Sequence, residues 1–445
     1  MITFLVGLVL LIGDSCMLTL AIFGALIFLL LINVPVVVAI GLTSVAFFIG
    51  LGDARLLAML PHRMYYGTTG FTLLAIPFFI LAGNLMNTGG ITDRIFRFAQ
   101  SMVGHIAGGI GQVNIVASVI FSGMSGSAVA DAAGLGQIEH KAMVDQGYDP
   151  ADSATLVAAS SVIGPVIPPS IPFVLYGSIT SVSVARLFLA GFIPGVMMAL
   201  GMMIALGILA KRKNYPRAEH KESFKARLSA FNGAFWPLMA PVIIVGGIMS
   251  GFFTPTEASV VVCVYAAMLG FFYKDLKLKA LPGIVYKSIT QSVSLLFIIS
   301  SANFFGWLII HQKLPDSIIE TLVGYGATQS IVMWIVIGIV LTMGLFLEGN
   351  AIFLITLPLF MPIATMFDID LVNFGVVMVL LIMIGNLTPP VGMCLFAVDS
   401  YAKVGMPALA KRVWPYLLMI FLITVLIAFV PSISLFLPNL IMGEM

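Results

Sequence analysis

Long apolar stretches follow one another along almost the whole chain, separated by short polar punctuation. They fall near 17–33, 35–51, 66–88, 109–143, 151–180, 185–210, 232–252, 256–273, 284–311, 328–365, 372–401 and 413–440. A run of roughly 20 apolar residues matches one helical crossing of a hydrocarbon core, so most of these runs predict simple spans. Two do not. The blocks 109–143 and 328–365 are too long for one span and are interrupted mid-way, by Gly123-Met124-Ser125-Gly126-Ser127 and by Glu348-Gly349-Asn350. A re-entrant hairpin with its tip at mid-membrane fits each block. Backbone that leaves the helix at that depth is tolerated only against protein or a water-lined cavity, which marks the tips as functional candidates.

The runs 151–180 and 372–401 carry a different interruption, Gly164-Pro165-Val166-Ile167-Pro168-Pro169 and Gly385-Asn386-Leu387-Thr388-Pro389-Pro390. Proline has no amide hydrogen and clashes with the preceding turn, so a Pro-Pro pair unwinds a helix and frees carbonyls. Both runs predict discontinuous helices. The two halves repeat. Asp149 and Asp370, Gly164 and Gly385, Pro168 and Pro389, Pro169 and Pro390, and Pro194 and Pro415 are each 221 positions apart. Each half places a broken hairpin before a broken helix, which reads as an internal duplication.

Composition supports a bilayer as the solvent. Of 445 residues, 60% are hydrophobic and 9% charged, against about 25% charged in average soluble chains. A net charge of +2 argues for membrane lipid, not nucleic acid, as the surrounding partner. Ile2–Ile12 is too short to span, lacks a basic leader and is cut by Asp14. It reads as an interfacial lead-in, not a cleaved signal.

Basic residues orient the chain. Residues 211–227 hold seven Lys or Arg in the longest polar segment, which the positive-inside rule puts in the cytoplasm. Counting spans outward from there, with hairpins not crossing, puts both termini on the periplasmic side. Of 21 Lys plus Arg, 17 then face the cytoplasm; Arg55, Arg63, Arg186 and Lys313 face outward. One hairpin opens inward and the other outward, so the repeat is inverted, the arrangement of alternating-access carriers.

Candidate chemistry gathers at the tips. A hard cation such as sodium takes several oxygen ligands, and freed carbonyls and hydroxyls supply them. Ser122, Ser125 and Ser127 with Gly164 and Val166 make one candidate cage. Gly349 and Asn350 with Gly385 and Leu387 make the other. Half-helix N-termini at the same depth attract a carboxylate, giving Ser125, Asp131, Glu348, Asn350, Pro168, Pro169, Thr388 and Pro389 as candidate substrate contacts. Asp131 and Glu348 stand out because ionisable groups at membrane depth are costly. Glu257 follows Thr254-Pro255-Thr256, where a carboxylate is ordinary capping chemistry. Arg186 and Asp399 sit near span ends.

Enzyme readings find less support. Gly123-Met124-Ser125-Gly126 matches the GxSG of rhomboid-type intramembrane proteases, but no histidine lies inside a span to activate Ser125. His62, His105, His140, His220 and His311 are scattered. There is no GxxxxGK[ST] for ATP. Cys16, Cys263 and Cys394 form no CxxC pattern, so neither a zinc site nor a disulfide framework is expected. A passive anion channel is a further alternative, which closed tips and inverted broken helices disfavour.

Six segments together carry a resemblance: LAIPFFILAGNLMNTGGITDRI (74–95), GMSGSAVADAAGLGQIEHKAM (123–143), IGPVIPPSIPFVLYG (163–177), LFLAGFIPG (187–195), GGIMSGFFTPTEASVVVCVYA (246–266) and IGNLTPPVGMCLF (384–396). From Met17 to Leu440 the chain resembles the large membrane (M) subunit of tripartite ATP-independent periplasmic (TRAP) transporters. The resemblance implies a bacterial or archaeal inner-membrane carrier. A small membrane subunit, Q, packs beside it, and a periplasmic substrate-binding protein, P, delivers an organic acid anion. Sodium ions drive import by an elevator motion. Residues 122–139 resemble the sialic-acid branch more than the C4-dicarboxylate branch, with sugar-acid and keto-acid branches also open.

The expected fold is all-α: a polytopic inverted-repeat elevator with two re-entrant hairpins and two Pro-broken helices. The expected division is 1–108 scaffold helices and arm, 109–180 first-half transport core, and 181–327 scaffold helices with the cytoplasmic loop 211–231. Residues 328–401 are then the second-half transport core and 402–445 a final scaffold helix.

Overall fold

The computed structural model describes residues 15–32, 34–88, 90–213, 215–216 and 221–443. The lead-in Ile2–Ile12 and part of the basic loop lie outside the described residues. The described chain is helical throughout, with no strand among these residues, as a lipid environment requires of a chain that does not close a barrel. The first part comprises α1 (Ser15–Leu31), α2 (Val36–Gly50), α3 (Leu60–Tyr66), α4 (Ala75–Thr88) and α5 (Ile91–Val103). The first hairpin follows as α6 (Gly109–Ser125), α7 (Ala128–Ala133) and α8 (Leu135–Asp145). The first broken helix is α9 (Pro150–Ser161) and α10 (Ile171–Thr180). Long helices α11 (Val184–Lys213), α12 (Phe224–Met249), α13 (Pro255–Phe272) and α14 (Leu281–His311) lead to the shorter α15 (Leu314–Gly324). The second hairpin is α16 (Gln329–Gly344) and α17 (Gly349–Met366), and the second broken helix is α18 (Leu371–Leu387) and α19 (Met393–Ala402). Helices α20 (Met406–Arg412), α21 (Trp414–Phe429) and α22 (Ser432–Met442) close the chain.

The duplication is legible element by element. The second hairpin arm starts at Ala128 in one half and Gly349 in the other, 221 positions apart, and ends at Asp145 and Met366 at the same offset. Helices α9 and α18 begin at Pro150 and Leu371, again 221 apart. Their N-caps are the repeated aspartates: Asp149 accepts from the amides of Ala151 and Asp152, and Asp370 from that of Asn373. Both Pro-Pro bonds, Pro168-Pro169 and Pro389-Pro390, are cis. The halves differ where Gly134 divides α7 from α8, whereas α17 runs unbroken through Pro358 and Pro362.

Two packing groups emerge. Helix α11 lies against α6, α18, α21 and α22, and α18 against α16 and α21. Separately, α14 packs on α2, α3 and α4, α13 on α4, and α12 on α5. The groups meet where α14 and α15 touch α17, and where α4, α5 and α12 touch α6. Among the described residues, five helices are long and apolar enough to cross a membrane, or up to seven if each bent pair is one span. One of the five is α17, the second arm of the second hairpin; α6, α16 and the half-helices α10, α18 and α19 are shorter.

Two runs differ from the simple-span expectation. Residues 66–88 join the end of α3 to α4 across a 53° bend. The last run, expected as one helix, is divided at Val430, which takes φ −127° and ψ 73° ahead of Pro431. The pre-proline residue is pushed out of the α region by the proline ring, so α21 ends and α22 starts afresh.

Candidate functional site

The first tip turns at Gly126, which ends α6 in the left-handed region at φ 61°. There the peptide comes so near the broken helix that a Cβ on Gly126 would stand 2.9 Å from the Pro169 carbonyl oxygen. The proline break thus faces the tip, as expected. Ser127 caps α7, accepting from the Ala130 amide at 3.4 Å. Ser170 caps α10, accepting from the Phe173 amide at 3.2 Å while donating to the Pro165 carbonyl.

Asp131 sits one turn into the second arm and is buried. It accepts a hydrogen bond from the Ser125 hydroxyl. Its other oxygen lies against Gly164, where a Cβ would meet it at 2.5 Å. Ser125, Asp131 and Gly164 therefore form one oxygen-rich cluster. Ser122 and Val166 are not part of it. The Ser122 hydroxyl donates to the Val119 carbonyl at 2.5 Å, and the Val166 carbonyl lies against Gly191 of α11.

At the second tip, Glu348 caps α17 by accepting from the Ala351 amide at 3.2 Å, and also accepts from the Asn350 side chain at 2.7 Å. The Gly349 amide donates to Asn386 Oδ1 at 3.2 Å, joining the tip to the second broken helix. Gly385 touches Gly344 backbone to backbone: a Cβ on Gly344 would stand 2.9 Å from Gly385 Cα. Leu387 is buried, and the Thr388 hydroxyl donates to the Ile384 carbonyl at 2.6 Å. Pro389 stands in the cis Pro-Pro bond that follows. The repeat offset pairs Ser127 with Glu348, since both cap the second arm. Asn350 is the Glu348 partner rather than the counterpart of Ser127.

Both tips open on one cavity of about 520 Å³. Ser125, Ser127, Glu348, Asn350 and Asn386 line it from the hairpin side; Asn84 and Asn87 of α4 and Thr290, Gln291 and Ser294 of α14 line it from the other. Asn84 donates to Ser288 and Gln291, both at 2.9 Å, which ties α4 to α14 behind the cavity. Glu348 is the only charged residue lining it among the described residues, and no Lys, Arg or His does. Sequence reasoning passed over Asn386 and the α4 and α14 amides. Their signal was present, as carboxamides inside otherwise apolar runs. It also passed over Glu139, buried in α8, which accepts from Asn114. Ser125 pairs with a carboxylate and His140 pairs with Ser153 at 3.0 Å, so no serine–histidine pair forms at the GxSG sequence.

The donor set at the tips is all oxygen: carboxylates, hydroxyls, carboxamides and the backbone at two proline breaks. Such a set suits a hard cation.

Comparison with known proteins agrees with this architecture. The family profile described as tripartite ATP-independent periplasmic transporter, DctM component, matches residues 23–433. The chain is 43% identical over 381 residues to the sialic acid TRAP transporter permease protein SiaT of Haemophilus influenzae, covering 85% of this chain and 62% of that longer relative. It is 40% identical to the sialic acid TRAP transporter large permease protein SiaM of Vibrio cholerae, over 93% of this chain and 97% of the relative. It is 37% identical to the C4-dicarboxylate TRAP transporter large permease protein DctM of Rhodobacter capsulatus, over 95% and 99%. Among solved structures, the Alcanivorax borkumensis YdaH transporter shares the fold, with a TM-score of 0.52 at 12% identity, covering 86% of this chain and 89% of that one. The chain belongs to the DctM family, the large permease component of tripartite ATP-independent periplasmic transporters.

Proposed function

We propose that this chain is the large subunit of an inner-membrane carrier that imports an organic acid anion together with sodium. Sialic acid is the first candidate and a C4-dicarboxylate the second, following the relatives named above. One observation carries the reading. The two tips place Glu348 on a cavity lined by no basic side chain, with Asp131 buried just behind the cavity-lining Ser125 that donates to it. An anion entering there needs cations to balance both itself and the carboxylates, and co-transported sodium supplies them. Asp131, Ser125 and the backbone near Gly164 and Pro169 hold one ion. Glu348, Asn350, Asn386 and the backbone from Gly385 hold the other. The small membrane subunit and a periplasmic binding protein complete the system.

The moving body takes in more than the two hairpins and broken helices. Helices α11, α21 and α22 pack on them and travel with them, while α1–α5 and α12–α15 stand as the scaffold. By the positive-inside rule the cavity at the tips faces the cytoplasm, since it lies nearer the Lys287 end of α14 than the Lys313 end.

Vesicles holding this chain and its small subunit, supplied with binding protein loaded with sialic acid or succinate, should take up substrate only under an inward sodium gradient. Omitting the binding protein should leave little uptake. Full uptake by the chain alone, or without sodium, would sink the reading. Orientation has its own check. In a background without native cysteines, Lys313→Cys and Asp368→Cys should react with an impermeant maleimide in intact cells. Cysteine at Lys277 or Arg217 should not, and labelling at either would reverse the topology.

A further inference from the structure

A second cavity, of about 740 Å³, lies between α14 and α17 at the ends remote from the tips. Helix α3 and the second half of α14 form one wall; the middle of α17 and the end of α10 form the other. Arg63 is its only charged lining residue among the described residues. Scaffold contacts set Arg63 in place. The Ser300 hydroxyl donates to the Met64 carbonyl at 2.9 Å, pinning α3 to α14. The guanidinium lies over the Trp307 ring, 5.0 Å from its centroid. Gly67, one turn beyond Arg63, makes room for Asn303, whose Cβ would be only 2.6 Å from a Cβ at that position. Asn303 and Trp307 are four residues apart on α14 and so share a face, which stands Arg63 and Asn303 side by side.

Arg63 lacks the carboxylate partner that Arg94 and Arg412 have. Arg94 pairs with Asp275, and Arg412 with Asp149 and Asp152. Among the described residues no carboxylate pairs with Arg63, and its Nε is buried without a hydrogen-bond partner. A guanidinium with a buried, unpartnered donor and no counter-charge is stabilised when an anion arrives. With one face on Trp307, the guanidinium keeps its edge for a planar oxyanion, the bidentate geometry arginine favours. The hydroxyl protons of Ser178 and Thr180 are given to the Leu175 and Tyr176 carbonyls at 2.8 and 2.7 Å. The Ser178 oxygen remains as an acceptor for a hydroxyl group on a bound acid, whereas the Thr180 oxygen already accepts from the Val182 amide at 3.4 Å.

We propose that Arg63 and Asn303 form an outer carboxylate station on the scaffold. The transported acid is held there when the tips are raised to it, and it loses this partner when they descend. The proposal rests on the import reading above and deepens it. Ser294 in the tip cavity and Asn303 in the outer one are nine residues apart on α14, about 14 Å of helix. A slide of that length exchanges an arginine-bearing wall for the neutral Asn84–Gln291 wall. The charge that captures the anion is therefore absent where it must leave. Walls from two opposed bodies favour a small soluble acid over a lipid phosphate.

The test uses the complete carrier in vesicles, with sialic-acid-loaded binding protein and a sodium gradient. Arg63→Gln should raise the half-saturating concentration of loaded binding protein about tenfold, the scale of one lost charged hydrogen bond. Arg63→Lys should recover part of this, and Asn303→Ala should show a several-fold rise. Melting temperature and sodium half-saturation should stay at wild-type values in all three. Wild-type uptake curves in both Arg63→Gln and Asn303→Ala would overturn the station. So would a defect that vanishes in vesicles of phosphatidylcholine alone, which would assign Arg63 to an anionic lipid. Absence of uptake by the wild-type carrier, with sialic acid and with succinate, would instead remove the import reading and this proposal with it.

Discussion

Asp131→Asn should insert and purify like the wild type, yet import at less than about a tenth of its rate at ordinary sodium. The half-saturating sodium concentration should rise by one to two decades. The amide has nearly the shape of the carboxylate, so the buried pocket is not emptied. What changes is one unit of charge and one acceptor, at a group that receives the Ser125 hydroxyl and abuts Gly164. Interactions with a charged group are worth about 1.5–3 kcal/mol, which sets the one to two decades. Ser127→Ala and Asn350→Ala should move the sodium curve in the same direction by less. Ser127 also caps α7, and losing such a cap costs about 1 kcal/mol. Affinity of the binding protein for its ligand should not respond. Sodium titration of uptake is the measurement, and a wild-type curve for Asp131→Asn would place the ions elsewhere.

Gly344→Ala should be the most damaging single methyl group in the second half. A Cβ there would stand 2.9 Å from Gly385 Cα, and one on Gly385 would stand 3.0 Å from Gly344 Cα. Both contacts are with backbone, so no side chain can swing aside. Overpacking of this kind costs about 1–3 kcal/mol, and here it pushes the first hairpin arm away from the helix that carries the second proline break. The detergent-purified protein should melt several degrees lower and transport should be largely lost. Gly338→Ala provides the control, because nothing lies within 4 Å of its Cβ position on the same helix. It should be neutral or slightly stabilising, since alanine favours helix over glycine. Equal behaviour of the two variants would show that the α16–α18 contact is not tight.

The scaffold of this reading was visible in runs and prolines. Hairpin tips, proline breaks and the duplication were legible because each leaves a local mark: a small or polar cluster inside an apolar block, or a Pro-Pro pair. Partnerships were harder. The match of Ser127 with Glu348 depends on which residue caps the second arm, and only the geometry of the turn reveals that. The carbonyl of Val166 is aimed by packing on Gly191, a contact between distant segments that no local pattern encodes. Asn386 stands in the second proline break, where a carboxamide inside an apolar span is itself a signal. Asn84 and Gln291 face the tips from helices whose sequences look like ordinary spans with a few polar residues each.

The 221-residue offset holds without a gap from the first residue of the second hairpin arm to the prolines of the following span. That has a consequence for how this chain can vary. In a helix one added residue turns everything beyond it by about 100°, so an insertion here would swing caps and breaks away from each other at once. Two copies have therefore drifted in composition while keeping a common length, as Ser127 became unlike Glu348 without either moving. Length polymorphism among descendants should collect in segments such as 214–223 and 274–280, and be missing from 128–194 and 349–415. A library of single-codon insertions, sorted for uptake, should trace those borders.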